Sequence, residues 1–343
     1  MNWRITGPAG DSLIFLGPLS ELLPRCCPEK PALIVADAAA HALHAGAFPA
    51  APVVELPPGE AAKSLDTVRA LYEKFLEHNC DRGSPILAIG GGVVCDVAGF
   101  AASTWLRGVP CGYIPTTLLA QVDAAIGGKT GVNFHGYKNL IGTFQQPRFV
   151  VCDPAFLRTL PPAEFRNGLA EAVKHAAIAD AGCFDFLENA ADRILALDAG
   201  ALARLVGDSL AVKTAIVNRD AREAGERRLL NFGHTIGHAL EKTRSLPHGE
   251  AVALGMLAAA RLSTRRGLLP AADAQRLAAL LARFGLPTET ALPREPLLDA
   301  VAKDKKRLHE TLHFVLLEKI GRGVVVPLRL EELAALWDDS PPR

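Results

Sequence analysis

The first half of the chain alternates short apolar runs with segments of helical period. PALIVAD, ending at Asp37, is a continuous apolar run of strand length and reads as a buried strand. VVEL follows, then a Pro-Gly turn. SLDTVRALYEKFLEHNC has helical spacing, with Ser64 placed to accept from the first turn as an N-cap. SPILAIGGG reads as a strand entering a glycine turn, and VVCDVAGFAASTWLRG as the helix leaving it. PCGYIPTT and PRFVVCD are two more strands. Such alternation predicts an α/β domain around a Rossmann-like, mostly parallel sheet. After about Leu160 the pattern changes. From Pro161 to the 290s the chain is rich in Ala, Leu and Arg at helical period, predicting a mainly α-helical domain. LHFVLLEKIGRGVVVPL interrupts this as one late β-hairpin around Gly321–Gly323. The double proline Pro161-Pro162 marks the expected boundary, giving domains 1–160 and 161–343.

Composition narrows the class. With 343 residues, 49% hydrophobic and 22% charged, the chain suits a globular protein of two domains. Lys plus Arg (37) equals Asp plus Glu (37), so no bulk positive field exists to draw nucleic acid or an anionic membrane. An anionic ligand would need local charges. No apolar run approaches the roughly 20 residues that span a bilayer, and the N-terminal apolar stretch is too short for a signal peptide. The seven cysteines are scattered and form no CxxC pair, which predicts reduced thiols in a cytoplasmic protein.

Candidate chemistry begins at the glycine turn. Gly90, Gly91 and Gly92 lie between a strand and a helix, where a backbone without side chains can approach a phosphate at a helix N-terminus. The spacing is not GxGxxG, and a tight turn is an equally good account of three glycines. Asp96 is expected in the first turn of the following helix, where an acid is favoured in any case. Glu60 and Lys63 sit in a loop before a helix, and Thr116-Thr117 ends a strand. Each has a bland reading as a cap or turn residue, yet all fall at strand ends, where open sheets bind ligands.

The segment LLNFGHTIGHALEKTRSLPHGEAV carries three histidines, each beside a glycine. His234 and His238 are four apart on a helix and share a face, so spacing alone selects them as a metal-ligand pair. His248 opens the next helix. A carboxylate would complete a catalytic site, and Glu171 on an upstream helix is a candidate. Lys174, three residues on, makes a solvated intrahelical ion pair the competing reading. DAAIGGKTGVNFHGYKN shows neither helical nor strand period and reads as a polar loop with Asp123, Lys129, Lys138 and Asn139; its two lysines suit phosphate or carboxylate.

These motifs resemble the dehydroquinate synthase family, within the sugar phosphate cyclases. GGGVVCDVAGFAASTWLRG, IPTTLLAQVDAAIGGKTGVN, KNLIGTFQQP, GLAEAVKHA, LLNFGHTIGHALE and HGEAVALGM occur in family order over nearly the whole chain. The resemblance implies metal ligands at Glu171, His234 and His248, and moves His238 to the substrate side. It implies NAD contacts at Asp37, Glu60, Lys63, Gly91, Gly92, Asp96, Thr116, Thr117, Lys129, Lys138, Phe156 and Thr159. Substrate contacts are implied at Arg107, Asp123, Lys129, Asn139, Lys174, Lys213, Glu223, Arg227, Asn231, His238 and Lys305 or its neighbour Lys306. Arg227 is preferred to Arg228 because four-residue spacing to Asn231 puts both on one helical face. Departures are Cys95 at a common glycine, Ala124-Ala125 at a common serine pair, and no glycine after Lys306.

The activity implied is closure of 3-deoxy-D-arabino-heptulosonate 7-phosphate to 3-dehydroquinate with loss of phosphate, using NAD and zinc or cobalt. Arg107, Lys129, Asn139, His238 and Lys305 or Lys306 would hold phosphate. Lys213, Arg227 and Asn231 would hold the carboxylate, and Asp123 and Glu223 the hydroxyls. Rival readings are a cyclitol (valiolone) synthase using sedoheptulose 7-phosphate, a metal-dependent polyol dehydrogenase, and a non-catalytic NAD-binding protein. A homodimer is expected.

Overall fold

The computed structural model describes residues 1–289 and 313–328. Contacts divide the chain into two units, Met1–Phe165 with Leu197–Arg222, and Arg166–Ala196 with Glu223–Arg343.

The first unit contains strands β1 (Asn2–Ile5), β2 (Ser12–Leu16), β3 (Leu33–Asp37), β4 (Val53–Leu56), β5 (Ile86–Gly90), β6 (Cys111–Pro115), β7 (Lys129–Phe134), β8 (Tyr137–Phe144) and β9 (Phe149–Cys152). Between them run helices α1 (Leu19–Cys26), α2 (Ala38–His44), α3 (Leu65–Glu77) and α4 (Gly92–Thr104). Seven strands form one sheet in the order β1-β2-β9-β6-β5-β3-β4. All neighbours pair in parallel except β1 with β2. Leu33 to Ala36 and Ile86 to Ile89 are fully buried, as central strands of a sheet covered on both faces must be. Their apolar runs therefore predicted them correctly. Helix α3 starts where expected: Ser64 Oγ accepts from Thr67 N at 3.2 Å, and Val68, Leu71 and Phe75 form its buried stripe.

Two features depart from the sequence reading. The antiparallel β1–β2 hairpin at the sheet edge was not anticipated. The supposed polar loop 123–139 is ordered: a π-helical turn, Ala120–Ala124, leads into the antiparallel ribbon β7–β8. Glycines hid this strand pattern and also permit it. A Cβ at Gly131 would lie 2.5 Å from Ile141 O, and one at Gly142 would overlap Thr130 O.

The next helices are α5 (Pro162–Ala179), α6 (Ala181–Asn189), α7 (Ala191–Leu195) and α8 (Ala199–Arg219). Helix α8 clusters with the first unit, although division at residue 160 assigned it to the second. The Asn218 amide donates to Arg4 O at 2.9 Å and accepts from Thr6 N at 3.0 Å, so it serves backbone groups beside the edge strand β1.

The second unit is mainly helical, with most of α5, α6, α7, α9 (His234–Arg244), α10 (His248–Arg265) and α11 (Ala271–Arg283). Helix α10 is buried on nearly every side from Gly249 to Ser263, as a central helix must be. The expected late hairpin is present as β10 (His313–Lys319) and β11 (Arg322–Pro327), turning at Gly321 with φ +83°. Ser263 Oγ of α10 accepts from Leu317 N at 3.0 Å and ties the hairpin to the helix. Among the described residues, no helix is long and apolar enough to cross a membrane.

Candidate active site

In the first unit, β4 lies on one side of β3, and β5, β6 and β9 lie on the other. Strand order thus reverses between β3 and β5, and the crevice beyond their C-terminal ends is where a doubly wound sheet binds a ligand. Asp37 and Gly90–Gly92 sit at these strand ends, and Thr116-Thr117 follow the neighbouring β6. The three glycines are there for space. A Cβ at Gly90 would come 2.7 Å from Val94 Cγ2, at Gly91 3.1 Å from Thr117 Cγ2, and at Gly92 3.1 Å from Ala124 Cβ. No side-chain oxygen caps α4, so its N-terminal N–H groups face the crevice end of β5, suited to a pyrophosphate. A dinucleotide's phosphates fit this cradle on both counts.

Asp96 lies in the second turn of α4, not the first as expected, so helix-end electrostatics do not explain it. Instead its Oδ2 receives Lys63 Nζ at 2.5 Å, with side chains 18% and 7% exposed. Burial raises the Asp96 carboxyl pKa, against the opposing pull of Lys63. Glu60 Oε1 accepts from Asn133 Nδ2 at 2.7 Å, and Asn133 Oδ1 accepts from Asn139 N at 2.9 Å. This chain joins the loop before α3 to the β7–β8 ribbon, which displays Lys129 and Lys138 exposed. Asn139, at φ +53°, and Arg107, at φ +69°, hold left-handed backbone conformations, which cost energy and cluster at functional sites. Thr159 Oγ1 meets His44 Nε2 at 2.8 Å. Asp37 caps α2, accepting from Ala39 N and Ala40 N. The Phe156 ring is committed to the hydrophobic core. Lys213 of α8 donates to Asp123 O at 2.5 Å and forms an ion pair with the Asp123 carboxylate.

In the second unit, α5, α9 and α10 converge on one carboxylate oxygen. Glu171 Oε1 lies 3.6 Å from His234 Nε2 and 3.3 Å from His248 Nε2. Donors about 2.0–2.2 Å from a tetrahedral zinc sit about 3.3–3.6 Å from one another; both separations from Glu171 match that spacing, and the three donor atoms all lie within 4.8 Å of one another. The other ring nitrogens are occupied: His234 Nδ1 faces Phe232 O at 3.2 Å, and His248 Nδ1 faces Glu241 Oε1 at 2.6 Å. Both Nε2 atoms are thereby directed at Glu171. Burial first, then Lys174, lowers the His234 pKa to about 3, which keeps its imidazole neutral for coordination. Burial also opposes charge on His248, but hydrogen bonds with Glu171 and Glu241 outweigh it and raise its pKa to about 9. A bound cation would replace that proton.

Close helix contact makes the convergence possible. A Cβ on Gly255 of α10 would overlap Gly233 O, and one on Gly249 would lie 2.5 Å from Asn167 Cα on α5. The glycines beside the histidines therefore set helix spacing. Lys174 pairs with Glu171 Oε2, and the two side chains are 1% and 0% exposed. The solvated-pair reading fails, because neither charge reaches water. Among the described residues, a group that could hold an ion joins His234 to Glu171 and His248 rather than to its helical neighbour His238, which is exposed with its ring edge-on to His234 at 5.2 Å.

Asn231 Nδ2 donates to Glu223 Oε1 at 2.5 Å. Arg227 is 2% exposed. Both lie in a 3₁₀ segment, Glu226–Asn231. Three residues per turn put positions four apart about 120° around the axis, so the shared α-helical face expected for them does not exist. Lys305 and Lys306 lie outside the described residues. The residue that pattern reading missed is Glu241, although its spacing of seven from His234 places it on the same side of α9.

Comparison with known proteins covers both units. The model for 3-dehydroquinate synthase N-terminal matches residues 53–167, and that for 3-dehydroquinate synthase C-terminal matches residues 168–307. The 3-dehydroquinate synthase of Citrifermentans bemidjiense is 49% identical over 290 residues, 83% of this chain and 79% of its own. Among solved structures, 2-epi-5-epi-valiolone synthase from Streptomyces hygroscopicus subsp. jinggangensis, with NAD+ and Zn2+ bound, is 31% identical. It superposes with a TM-score of 0.86 over 97% of this chain and 98% of that one. A 2-deoxy-scyllo-inosose synthase complexed with carbaglucose-6-phosphate, NAD+ and Co2+ is 26% identical, with a TM-score of 0.83 over 98% and 99%.

Proposed function

The chain belongs to the 3-dehydroquinate synthase family, and from that membership we infer its reaction: conversion of 3-deoxy-D-arabino-heptulosonate 7-phosphate to 3-dehydroquinate and phosphate. It is a phosphate-eliminating carbon–oxygen lyase of the shikimate pathway of aromatic biosynthesis. The reaction proceeds by transient oxidation, phosphate elimination, reduction and intramolecular aldol closure. Bound NAD supplies a hydride acceptor restored in each turnover, and a divalent zinc or cobalt ion supplies Lewis acidity toward the alcohol being oxidised.

In this reading Glu171, His234 and His248 hold the cation. Lys174, buried against Glu171, sets a positive charge beside that carboxylate, which a lone buried anion would lack. The glycine turn, Asp96, Lys63, Glu60 and Thr116-Thr117 hold the dinucleotide, with Lys129 and Lys138 reaching from the ribbon. Arg107, Lys129, Asn139, His238 and a lysine of the pair 305–306 hold substrate phosphate. Arg227, Lys213 and Asn231 bind the carboxylate, Arg227 bidentately, while Asp123 and Glu223 orient hydroxyls. The chain's main contribution is to hold one substrate conformer through elimination and ring closure. The enzyme acts as a cytoplasmic homodimer in this reading, supported for location by seven free cysteines.

The observation that carries the reading is the convergence of two imidazole Nε2 atoms on one buried carboxylate oxygen. The test is phosphate release and cyclic product formation from the heptulosonate phosphate, with and without NAD and metal. The solved valiolone synthase favours one alternative, a cyclitol synthase accepting sedoheptulose 7-phosphate. Absence of product from the heptulosonate phosphate, with turnover of the neutral sugar, would replace the first reading by the second.

A further inference from the structure

We propose that Glu241 is the positioning residue of the metal site: its carboxylate holds His248 with Nε2 turned toward the cation and strengthens that nitrogen as a donor. The inference rests on the reading of Glu171, His234 and His248 as metal ligands.

The geometry is specific. Glu241 Oε1 lies 2.6 Å from His248 Nδ1, and the Glu241 side chain is 5% exposed. A carboxylate buried to that degree needs a charged or hydrogen-bonding partner, and His248 is one. The imidazole can satisfy it by donating Nδ1–H, which leaves Nε2, 3.3 Å from Glu171 Oε1, as the nitrogen that a cation would take in place of its proton. Carboxylate–imidazole pairs of this kind fix the tautomer and ring orientation of a metal ligand and raise its basicity. His234 is supported differently, by the neutral carbonyl of Phe232 at 3.2 Å. The two imidazoles are therefore unequal donors, and His248 has the charged support.

The sequence explains how the contact arises. Glu241 lies seven residues after His234, two helical turns along the same side of α9. The helix ends at Ser245 in a left-handed conformation, φ +53°, and Pro247 immediately precedes His248. This short connection returns the chain so that the first residue of α10 meets the last turns of α9. Helix α9 thus supplies one ligand directly and orients another. From α5, Asn167 Oδ1 accepts from Gly249 N at 3.1 Å, fixing the backbone next to His248 from a second direction.

The test compares metal-free wild type with Glu241→Ala, Glu241→Gln and Glu241→Asp. Zinc and cobalt dissociation constants are read by competition with a chromophoric chelator, and the cobalt forms by visible absorption. Glu241→Ala should bind about 10–100-fold more weakly. Glu241→Gln keeps an acceptor oxygen but loses the charge, and should bind with an intermediate loss and a shifted cobalt spectrum. Glu241→Asp should recover part of the affinity. NAD affinity and metal-free melting temperature should stay near wild type in Glu241→Gln, which a merely structural role would not predict alongside weakened metal. Wild-type affinity and spectrum in Glu241→Gln overturn the proposal, even if the alanine variant fails to fold. If wild type itself binds neither ion, the metal assignment fails instead, and this inference with it.

Discussion

Two side chains show how local chemistry separates the roles of similar residues. His234 and His238 share α9, yet His234 is 11% exposed at its side chain and faces Glu171, while His238 is exposed. His238→Ala should therefore retain bound metal, measured by elemental analysis, while turnover falls through loss of the phosphate contact proposed for it. Loss of stoichiometric metal in that variant would reinstate it as a ligand. Arg227 is 2% exposed, and in the proposed reading its guanidinium binds the substrate carboxylate. A charge-assisted hydrogen bond to a substrate carboxylate contributes about 1.5–3 kcal/mol. Arg227→Ala should accordingly lower kcat/KM for the heptulosonate phosphate by about tenfold or more, with metal content and NAD affinity preserved. An unaffected kcat/KM would remove Arg227 from the carboxylate site and favour the cyclitol synthase reading.

At the scale of elements, the site depends on the approach of α9 to α10. Gly255 faces Gly233 O so closely that a single methyl would overlap it, and Gly233, at φ +81°, cannot readily yield. Gly255→Ala should push the helices apart, lowering stability by about 1–3 kcal/mol and weakening zinc binding, because His234 and His248 ride on those two helices. Thermal melting with and without zinc tests this. A variant with unchanged melting temperature and zinc affinity would show that the helices can slide without disturbing the ligands. The glycine turn before α4 follows the same rule: a Cβ at Gly90, Gly91 or Gly92 would press on Val94, Thr117 or Ala124, and none of the three has a positive φ.

For the whole molecule, the activity couples a hydride acceptor to a Lewis acid in one turnover. Chelation should abolish phosphate release, and zinc or cobalt should restore it; full activity in a rigorously metal-free preparation would refute the assignment. NADH should not accumulate during turnover, because the hydride returns to the same substrate. Stoichiometric NADH, followed at its absorption band, would indicate a polyol dehydrogenase.

Local pattern alone determined the buried parallel strands, the Ser64 cap, the late hairpin and the glycine turn, because apolar period and turn chemistry are properties of neighbouring residues. The histidine-rich segment was legible for the same reason, and family motifs pointed to Glu171 as the third ligand. Tertiary structure decided what depends on distant segments meeting. Glu171 and His248 are 77 positions apart, and no periodicity could show that both Nε2 atoms turn to one oxygen. Burial of the Lys174–Glu171 pair, transfer of α8 to the first unit, pairing of the glycine-rich ribbon and contact of Glu241 with His248 were likewise beyond local pattern. Spacing specifies which side of its own helix a residue occupies; only packing between elements specifies what that side meets, and whether water remains there.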